Sequence, residues 1–368
     1  MKRQPRHLTD ITVIAAIVAL VGVLVLVQAL VRHGGSDVTP AAQDSPPGEG
    51  LIQHSTLGPA PTPSPSASAS VTVPPATPSA TATRRAKPRG PVVPPSADPD
   101  RAMASLAQQA ERNAKMPLVF RLATFNVLGA SHTTKRGDSR IKRSYDLRMN
   151  YGIQVLAAHK ADVVGFQEFE TPQARLFEKL VGPVWGLWPT AGGSGADGRN
   201  SIGYAKAKWE LVKGSSLTIP YFNGVSFHTP MALLRNRSTG VQVWFINVHN
   251  AADTAKYHNQ GRWREAAVAR ELAAVAQLSA DGTPVVLMGD MNSRDLFYCT
   301  VAGSGLGMTF PNPGSGSGAG CTGPTPSTID WMLGTRSITW SGYVKDRSSL
   351  TKLATDHPVY SATATVAR

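Results

Sequence analysis

The chain has 368 residues, 37 Lys+Arg against 24 Asp+Glu, and a formal net charge of +13. With 17% charged and 42% hydrophobic residues it is neither a wholly disordered polymer nor a multi-span membrane protein. Two cysteines exclude a disulfide-rich scaffold and a four-cysteine zinc site.

Of the 28 prolines, 15 lie between Pro40 and Pro99, so the first hundred residues are organised differently from the rest. Ile11 to Val31 form an apolar stretch without a formal charge, interrupted only by Thr12, Gly22 and Gln28. As a helix it matches the roughly 30 Å of a bilayer core. Lys2, Arg3 and Arg6 precede it, so the positive-inside bias assigns residues 1–10 to the cytoplasm, 11–31 to a single transmembrane anchor and the rest to the extracytoplasmic side of the cell membrane. A cleaved signal peptide is the rival reading; the stretch exceeds an h-region of about 7–15 residues and no A-x-A site follows. Residues 32–97 are Pro/Ser/Thr/Ala-rich and read as a disordered linker, which as a flexible coil spans roughly 45 Å.

Asp98-Pro99 reads as a cap and first helical position, opening a short helix over 98–116. Residues 117–368 then alternate extended and helical patterns. Leu118–Val127 alternates as a strand. Tyr145–His159 carries Leu147, Tyr151, Val155 and Leu156 at helical spacing. A short strand over Ala161–Phe169 and a helix over Thr171–Val181, opened by Thr171-Pro172, follow. Strands are expected near 201–209, 229–236 and 241–248, then a helix over 260–279, a strand at Pro284–Met288 and three strands within 328–366. Adjacent extended pairs imply mixed sheets.

The polar residues fall at strand ends. Asn126, Glu168, His249 and Asp290-Met291-Asn292 each close an apolar run, and Ile329-Asp330-Trp331 and Thr355-Asp356-His357 follow. Any one of these is a common turn former; six in one domain point to a shared cleft. Carboxylates with two imidazoles and no cysteine partner suit a hard divalent cation, not closed structural zinc. No His-Glu-x-x-His, phosphate-binding Gly-Lys loop or Gly-x-Ser-x-Gly occurs.

This ordered set, Thr124-Phe125-Asn126-Val127, Gln167-Glu168, His249, Gly289-Asp290-Met291-Asn292, Ile329-Asp330-Trp331 and Thr355-Asp356-His357-Pro358, resembles the endonuclease/exonuclease/phosphatase (deoxyribonuclease-I-like) superfamily over about residues 117–366. The resemblance implies a four-layer α/β/β/α sandwich with two mixed sheets and metal-dependent hydrolysis of phosphate esters. It implies that Glu168 binds the metal with Asn126 beside it and Asp356 near, the ion being Mg2+ with Mn2+ or Ca2+ as alternatives. Asp290 is then expected to orient or deprotonate water, and Asn292 to position phosphate. Asp330 is expected to fix and charge His357, and His357 and His249 to stabilise the transition state or protonate the leaving oxygen. Asn200 is expected to contact phosphate. Three departures stand out: Asn250 follows His249 where the family often has leucine, Met291 replaces the usual aromatic, and Thr355 replaces the common serine but keeps a hydroxyl.

The run 135–143 contains Lys135, Arg136, Arg140, Lys142 and Arg143. Residues 117–368 hold 26 Lys+Arg against 17 Asp+Glu, a surplus of +9. A basic rim suits a polyanion such as nucleic acid, although a solvated charge run reads the same way. Three functions follow: a tethered nuclease, a phospholipid or sphingolipid phosphodiesterase or phosphatase, and a catalytically silent surface module. Cys299 and Cys321 are either bridged, in an oxidising compartment, or free thiols. His132, His159, His228 and His258 stand outside any carboxylate motif and receive no role.

Overall fold

The computed structural model describes residues 99–139, 141–193, 197 and 199–367. The segments 1–10, 11–31 and 32–97 and the side chain of Arg140 lie outside the described residues. Among the described residues, no helix is long and apolar enough to cross a membrane.

Helix α1 (Pro99–Lys115) precedes an alternation of strands and helices. In chain order these are β1 (Leu118–Asn126), α2 (Tyr145–Ala158), β2 (Val163–Gln167), α3 (Thr171–Val181), β3 (Trp185–Trp188), β4 (Ser201–Ala205), β5 (Trp209–Pro220), β6 (Ser226–Asn236), β7 (Gln242–His249), α4 (Gly261–Leu278), β8 (Val285–Asp290), α5 (Asp295–Ala302), β9 (Asp330–Gly334), β10 (Ile338–Asp346), α6 (Ser349–Ala354) and β11 (Val359–Val366). Six strands form one sheet, in the order β10-β11-β1-β2-β4-β3, and five form the other, β5-β6-β7-β8-β9. Both sheets are mixed: β1 and β2 run parallel, as do β7 and β8, and the other neighbours are antiparallel.

Strand alternation builds the layers. In β1, Leu118, Phe120 and Leu122 enter the core between the sheets, while Ala123 and Phe125 face the core shared with α2 and α3. In β7, Val243 and Phe245 face the other sheet, while Trp244, Ile246 and Val248 pack with Val268 and Val275 of α4. The result is helix, sheet, sheet, helix, as expected.

The topology also places the site. Each parallel pair, joined by a crossover helix, ends at the same rim: Asn126 pairs with Gln167, and His249 with Asp290. Antiparallel β9 begins at that rim, with Asp330 opposite Asp290. Strand β11 begins there too, directly after His357. Gly289, at φ +142°, is required at this rim, because a Cβ there meets the Val248 carbonyl oxygen at 2.0 Å.

Two expectations change. The strand over 201–209 is two strands, because the Lys208 N–H bonds the Ala205 carbonyl in a turn (3.0 Å) and the chain reverses. Strand β5 escapes the pattern because it is a half-exposed sheet edge whose middle, Lys213 to Thr218, is mostly small and polar. Helix α3 is capped by Glu170 in place of Thr171, with the Glu170 N–H bonded to Gln173 Oε1 (3.3 Å). Helices α5 and α6 and strand β3 are too short to carry a periodic signal.

Cys299 and Cys321 are bridged, closing a loop with a sequence separation of 22 around the glycine run 314–320. Closing a loop of that length stabilises a fold by roughly 3 kcal/mol, by removing freedom from the unfolded chain. Replacing both cysteines with alanine is expected to lower denaturant-measured stability by roughly 2–4 kcal/mol. Equal stability of the variant and the parent would contradict this.

Candidate active site

The rim is assembled around Asn126. Its side chain is fully buried, and Nδ2 donates to Glu168 Oε1 (3.0 Å) and to Asp290 Oδ2 (3.2 Å). Its Oδ1 accepts the Leu128 N–H at 3.0 Å. One amide thus spans carboxylates from two different sheets.

Strand alternation alone does not aim Glu168. Gln167 points between the sheets, where its Nε2 donates to Asn247 Oδ1 (2.6 Å), and Glu168 then adopts φ +54° and turns to the rim. Its Oε2 accepts the Gly129 N–H (2.9 Å), and His132 Nε2 lies 3.6 Å away. Burial alone would raise the Glu168 pKa, but the His249 charge, the Gly129 N–H, the Asn126 amide and His132 together hold it below the usual value. Glu168 is therefore kept as an anionic oxygen donor.

The backbone that presents these groups is itself tied down. Arg148 is buried and donates to the carbonyls of Val127, Gly129 (3.3 Å) and Ala354 (3.4 Å) and to Thr133 Oγ1 (3.3 Å). Gln173 accepts the Ala130 N–H (2.9 Å) and donates to the Leu128 carbonyl (3.1 Å).

Asp290 is 1% exposed. Its Oδ1 accepts the Asn292 N–H (2.9 Å). His249 Nε2 and His357 Nδ1 each lie 3.8 Å from its Oδ2. Asn292, at φ +47°, donates its Nδ2 to the Asn250 carbonyl (2.8 Å), so it ties the β7 and β8 ends together. Opposite, His357 Nδ1 meets both Asp330 oxygens, at 3.1 and 3.2 Å. Burial would lower the His357 pKa, but the Asp330 charge and hydrogen bond, with Asp290 and Asp356, push it up to about 10. Burial, with Asp290 adding, pushes Asp330 up to about 6 against the pull of His357. At neutral pH the pair is therefore imidazolium and carboxylate.

The structure brings together Asn126, Glu168, His249, Asp290, Asn292, Asp330 and His357. Asn200 is buried beside them, following Arg199, whose carbonyl accepts the Phe169 N–H (2.7 Å); neither Asn200 amide atom has a hydrogen-bond partner. Asp356 is exposed, its Oδ1 3.5 Å from Thr355 Oγ1, and it bonds neither Asn126 nor Glu168. Lys135, Arg136 and Lys142 are exposed. Lys142 also donates to the Gly137 carbonyl (3.1 Å), and Arg143 donates to the Leu353 carbonyl (3.0 Å) and lies over the Tyr151 ring at 5.8 Å, so Arg143 anchors the loop instead of facing solvent.

Two residues escaped sequence reasoning. His132 reaches Glu168 and pairs with Asp138 (2.6 Å); only its place six residues before an aspartate marks it. Tyr221, at the tip between β5 and β6, sets its ring 6.1 Å from that of His249. Burial, then Glu168 and Asp290, raise its hydroxyl pKa, so it stays a phenol.

A divalent cation fits this donor set: Glu168 is an ionised oxygen donor with a second carboxylate, Asp290, held on the same amide. Asn126 turns its nitrogen to the carboxylates and gives its oxygen to Leu128, so it orients Glu168. Asp290, Asp330 and His357 also place ligand-type atoms within 4.8 Å of one another. Within that trio Asp330 and His357 form the carboxylate–imidazolium pair described above, with Asp290 beside it.

Carboxylates, imidazoles and an unpaired amide at the rim of an α/β/β/α sandwich are the kind of donor set that phosphate-ester hydrolysis uses. The Endonuclease/Exonuclease/phosphatase family model matches residues 123–357, and the chain belongs to that family. Among solved structures, a family protein from Bacteroides thetaiotaomicron shares 17% identity at TM-score 0.52, over 69% of this chain and 100% of its own. The human Nocturnin catalytic domain with bound sulfate shares 15% at TM-score 0.52, over 68% and 96%. A Bacteroides vulgatus protein of the family shares 16% at TM-score 0.51, over 68% and 99%. These likenesses establish the fold. No curated protein sequence matches.

Asp330→Asn removes the charge that sustains the His357 proton. The sign follows from linkage. A histidine raised to about 10 contributes stability that is complete below its usual value near 6.5 and is lost as pH rises through about 10. In Asp330→Asn the His357 ring, followed by NMR, should titrate at a lower pH, and the corresponding stabilisation should be weaker at neutral pH. An unchanged His357 titration would show that Asp330 does not control it.

Proposed function

We propose that the protein is a membrane-tethered, extracytoplasmic, metal-dependent phosphodiesterase whose substrate is nucleic acid. The observation that carries the chemistry is the Asn126 amide joining Glu168 to Asp290 beside a charged His357. A magnesium ion held by Glu168, with Asp356 near, would supply Lewis-acid charge at the phosphoryl oxygens; manganese or calcium suits the same oxygens. Asp290 takes the proton of the attacking water as the new O–P bond forms. The leaving oxygen departs with a proton from His249 or His357, and the imidazolium offsets charge on the phosphoryl group. In this reading the buried, unpaired Asn200 amide is the phosphate contact, and Asn292 holds Asp290 in place.

What supports nucleic acid is the exposed Lys135, Arg136 and Lys142 on the loop that also carries His132 to Glu168. A lipid phosphodiesterase is the second reading. It is favoured by the β5–β6 tip, where Tyr221, Phe222 and Phe227 cluster and Val225 is 68% exposed. An activity panel with and without Mg2+ separates them: plasmid DNA, RNA, sphingomyelin vesicles and bis(p-nitrophenyl) phosphate. DNA or RNA should be cut. Lys135→Ser/Arg136→Ser/Lys142→Ser should flatten the salt dependence by about 0.7–0.9 log units for each phosphate no longer neutralised, sparing the small diester. Sphingomyelin turnover without nuclease activity would replace this reading with the lipid one. An unaltered salt slope would make the run a solvated face.

The tether rests on the apolar stretch 11–31 and the proline-rich segment after it. Protease added to intact cells should release the folded domain; a domain protected until the membrane is broken would reverse the orientation.

A further inference from the structure

Glu271 lies midway along α4 and is 0% exposed, and neither carboxyl oxygen has a hydrogen-bond partner. Its polar neighbour is Asn250, also 0% exposed, whose Oδ1 is likewise unpartnered and whose Nδ2 lies 3.8 Å from the Met291 sulfur. Three acceptor oxygens buried without a partner in an apolar core are costly unless one of them carries a proton to donate. An ionised Glu271 can accept the amide N–H but leaves Asn250 Oδ1 stranded and a buried charge without a cation. A protonated Glu271 resolves all three: its O–H donates to Asn250 Oδ1, and Asn250 Nδ2 donates to the remaining carboxyl oxygen.

We propose that Glu271 is held as an uncharged carboxylic acid in a two-bond pair with Asn250, and that this pair positions the catalytic ends of β7 and β8. Burial pushes the Glu271 carboxyl up to about 8, opposed only by the Asn250 amide. Asn250 is the crosspiece of the rim. Its N–H donates to the Asp290 carbonyl (2.8 Å), its carbonyl accepts from Asn292 Nδ2 (2.8 Å), and His249 is its chain neighbour. Glu271, fully buried on α4, acts through Asn250. The catalytic half of this inference rests on the phosphodiesterase reading; the protonation half does not.

The test compares Glu271→Gln, Glu271→Leu and Asn250→Leu in the full chain. Glutamine keeps one donor and one acceptor without any charge, so Glu271→Gln should hold kcat on bis(p-nitrophenyl) phosphate within about threefold of the parent. Glu271→Leu and Asn250→Leu should each lower kcat at least about tenfold with KM little changed, as misalignment does. They should also shift the His249 imidazole resonances, which Glu271→Gln should leave in place. In the infrared at about pH 7, where Asp330 is ionised, the parent should show a protonated-carboxyl stretch absent from Glu271→Gln. If Glu271→Leu fails to fold, Asn250→Leu reads the positioning from the other partner. A protonated-carboxyl band missing from the parent, or a Glu271→Gln as impaired as Glu271→Leu, overturns the uncharged pair. Unmoved His249 resonances with parental kcat in the leucine variants overturn the positioning role. A parent inactive on every phosphodiester defeats the phosphodiesterase reading, and the infrared and NMR results then still decide the pair.

Discussion

The site depends on a polar seam between two sheets that are otherwise joined by apolar side chains. Asn247 of β7 donates to the Phe166 and Ser201 carbonyls (2.7 and 3.0 Å) and accepts from Gln167 (2.6 Å). Asn126 continues the seam by joining Glu168 to Asp290. Amides buried this deeply cost several kcal/mol if left unpaired, so any slip of one sheet over the other breaks several bonds at once. Gly165 allows the close approach: a Cβ there would lie 2.7 Å from Asn247 Oδ1. The seam thereby fixes the distance between a carboxylate of β2's end and one of β8's end, which no single sheet could do.

Backbone strain collects at the same rim. Leu128, Glu168 and Asn292 all adopt left-handed φ, at +56°, +54° and +47°, each at a cost of order 1–3 kcal/mol that surrounding contacts must sustain. Those contacts are visible. Leu128 is held by Asn126 and Gln173, and Asn292 by Asp290 and Asn250. Arg148 pins the carbonyls of Val127 and Gly129 on either side of Leu128. The strain aims side chains where strand alternation would not send them, which makes the rim rigid before any ligand arrives.

The sequence made the rim legible because polar residues at the ends of apolar runs are a strong pattern, and the order of six such segments is stronger still. It made the layers legible because β2, β7 and β8 are almost wholly buried and read as short apolar runs, while β1 alternates. The edge strand β5 was not legible, since a half-exposed edge carries no alternation, and with it went the hairpin tip that brings Tyr221 to His249. His132 was hidden for a different reason: its role comes from a loop whose path is set by distant ties to Glu170, Gln173 and Arg148. Asn250 was legible only as a departure from the family pattern; its partner Glu271 lies twenty-one residues on, on a helix whose apolar spacing gives no hint of a buried acid.

The central claim is that the Asn126 seam builds one cation site at Glu168, distinct from the Asp330–His357 pair. Manganese binding to the full chain, followed by calorimetry, tests it most directly. Glu168→Gln should weaken binding by about 10–100-fold, and so should Asn126→Ala, which releases the carboxylate from its second-layer support. Asp330→Asn should leave affinity within about twofold, because it lies outside the ligand set. Affinity that survives Glu168→Gln but collapses in Asp330→Asn would place the ion among Asp290, Asp330 and His357 and contradict the account.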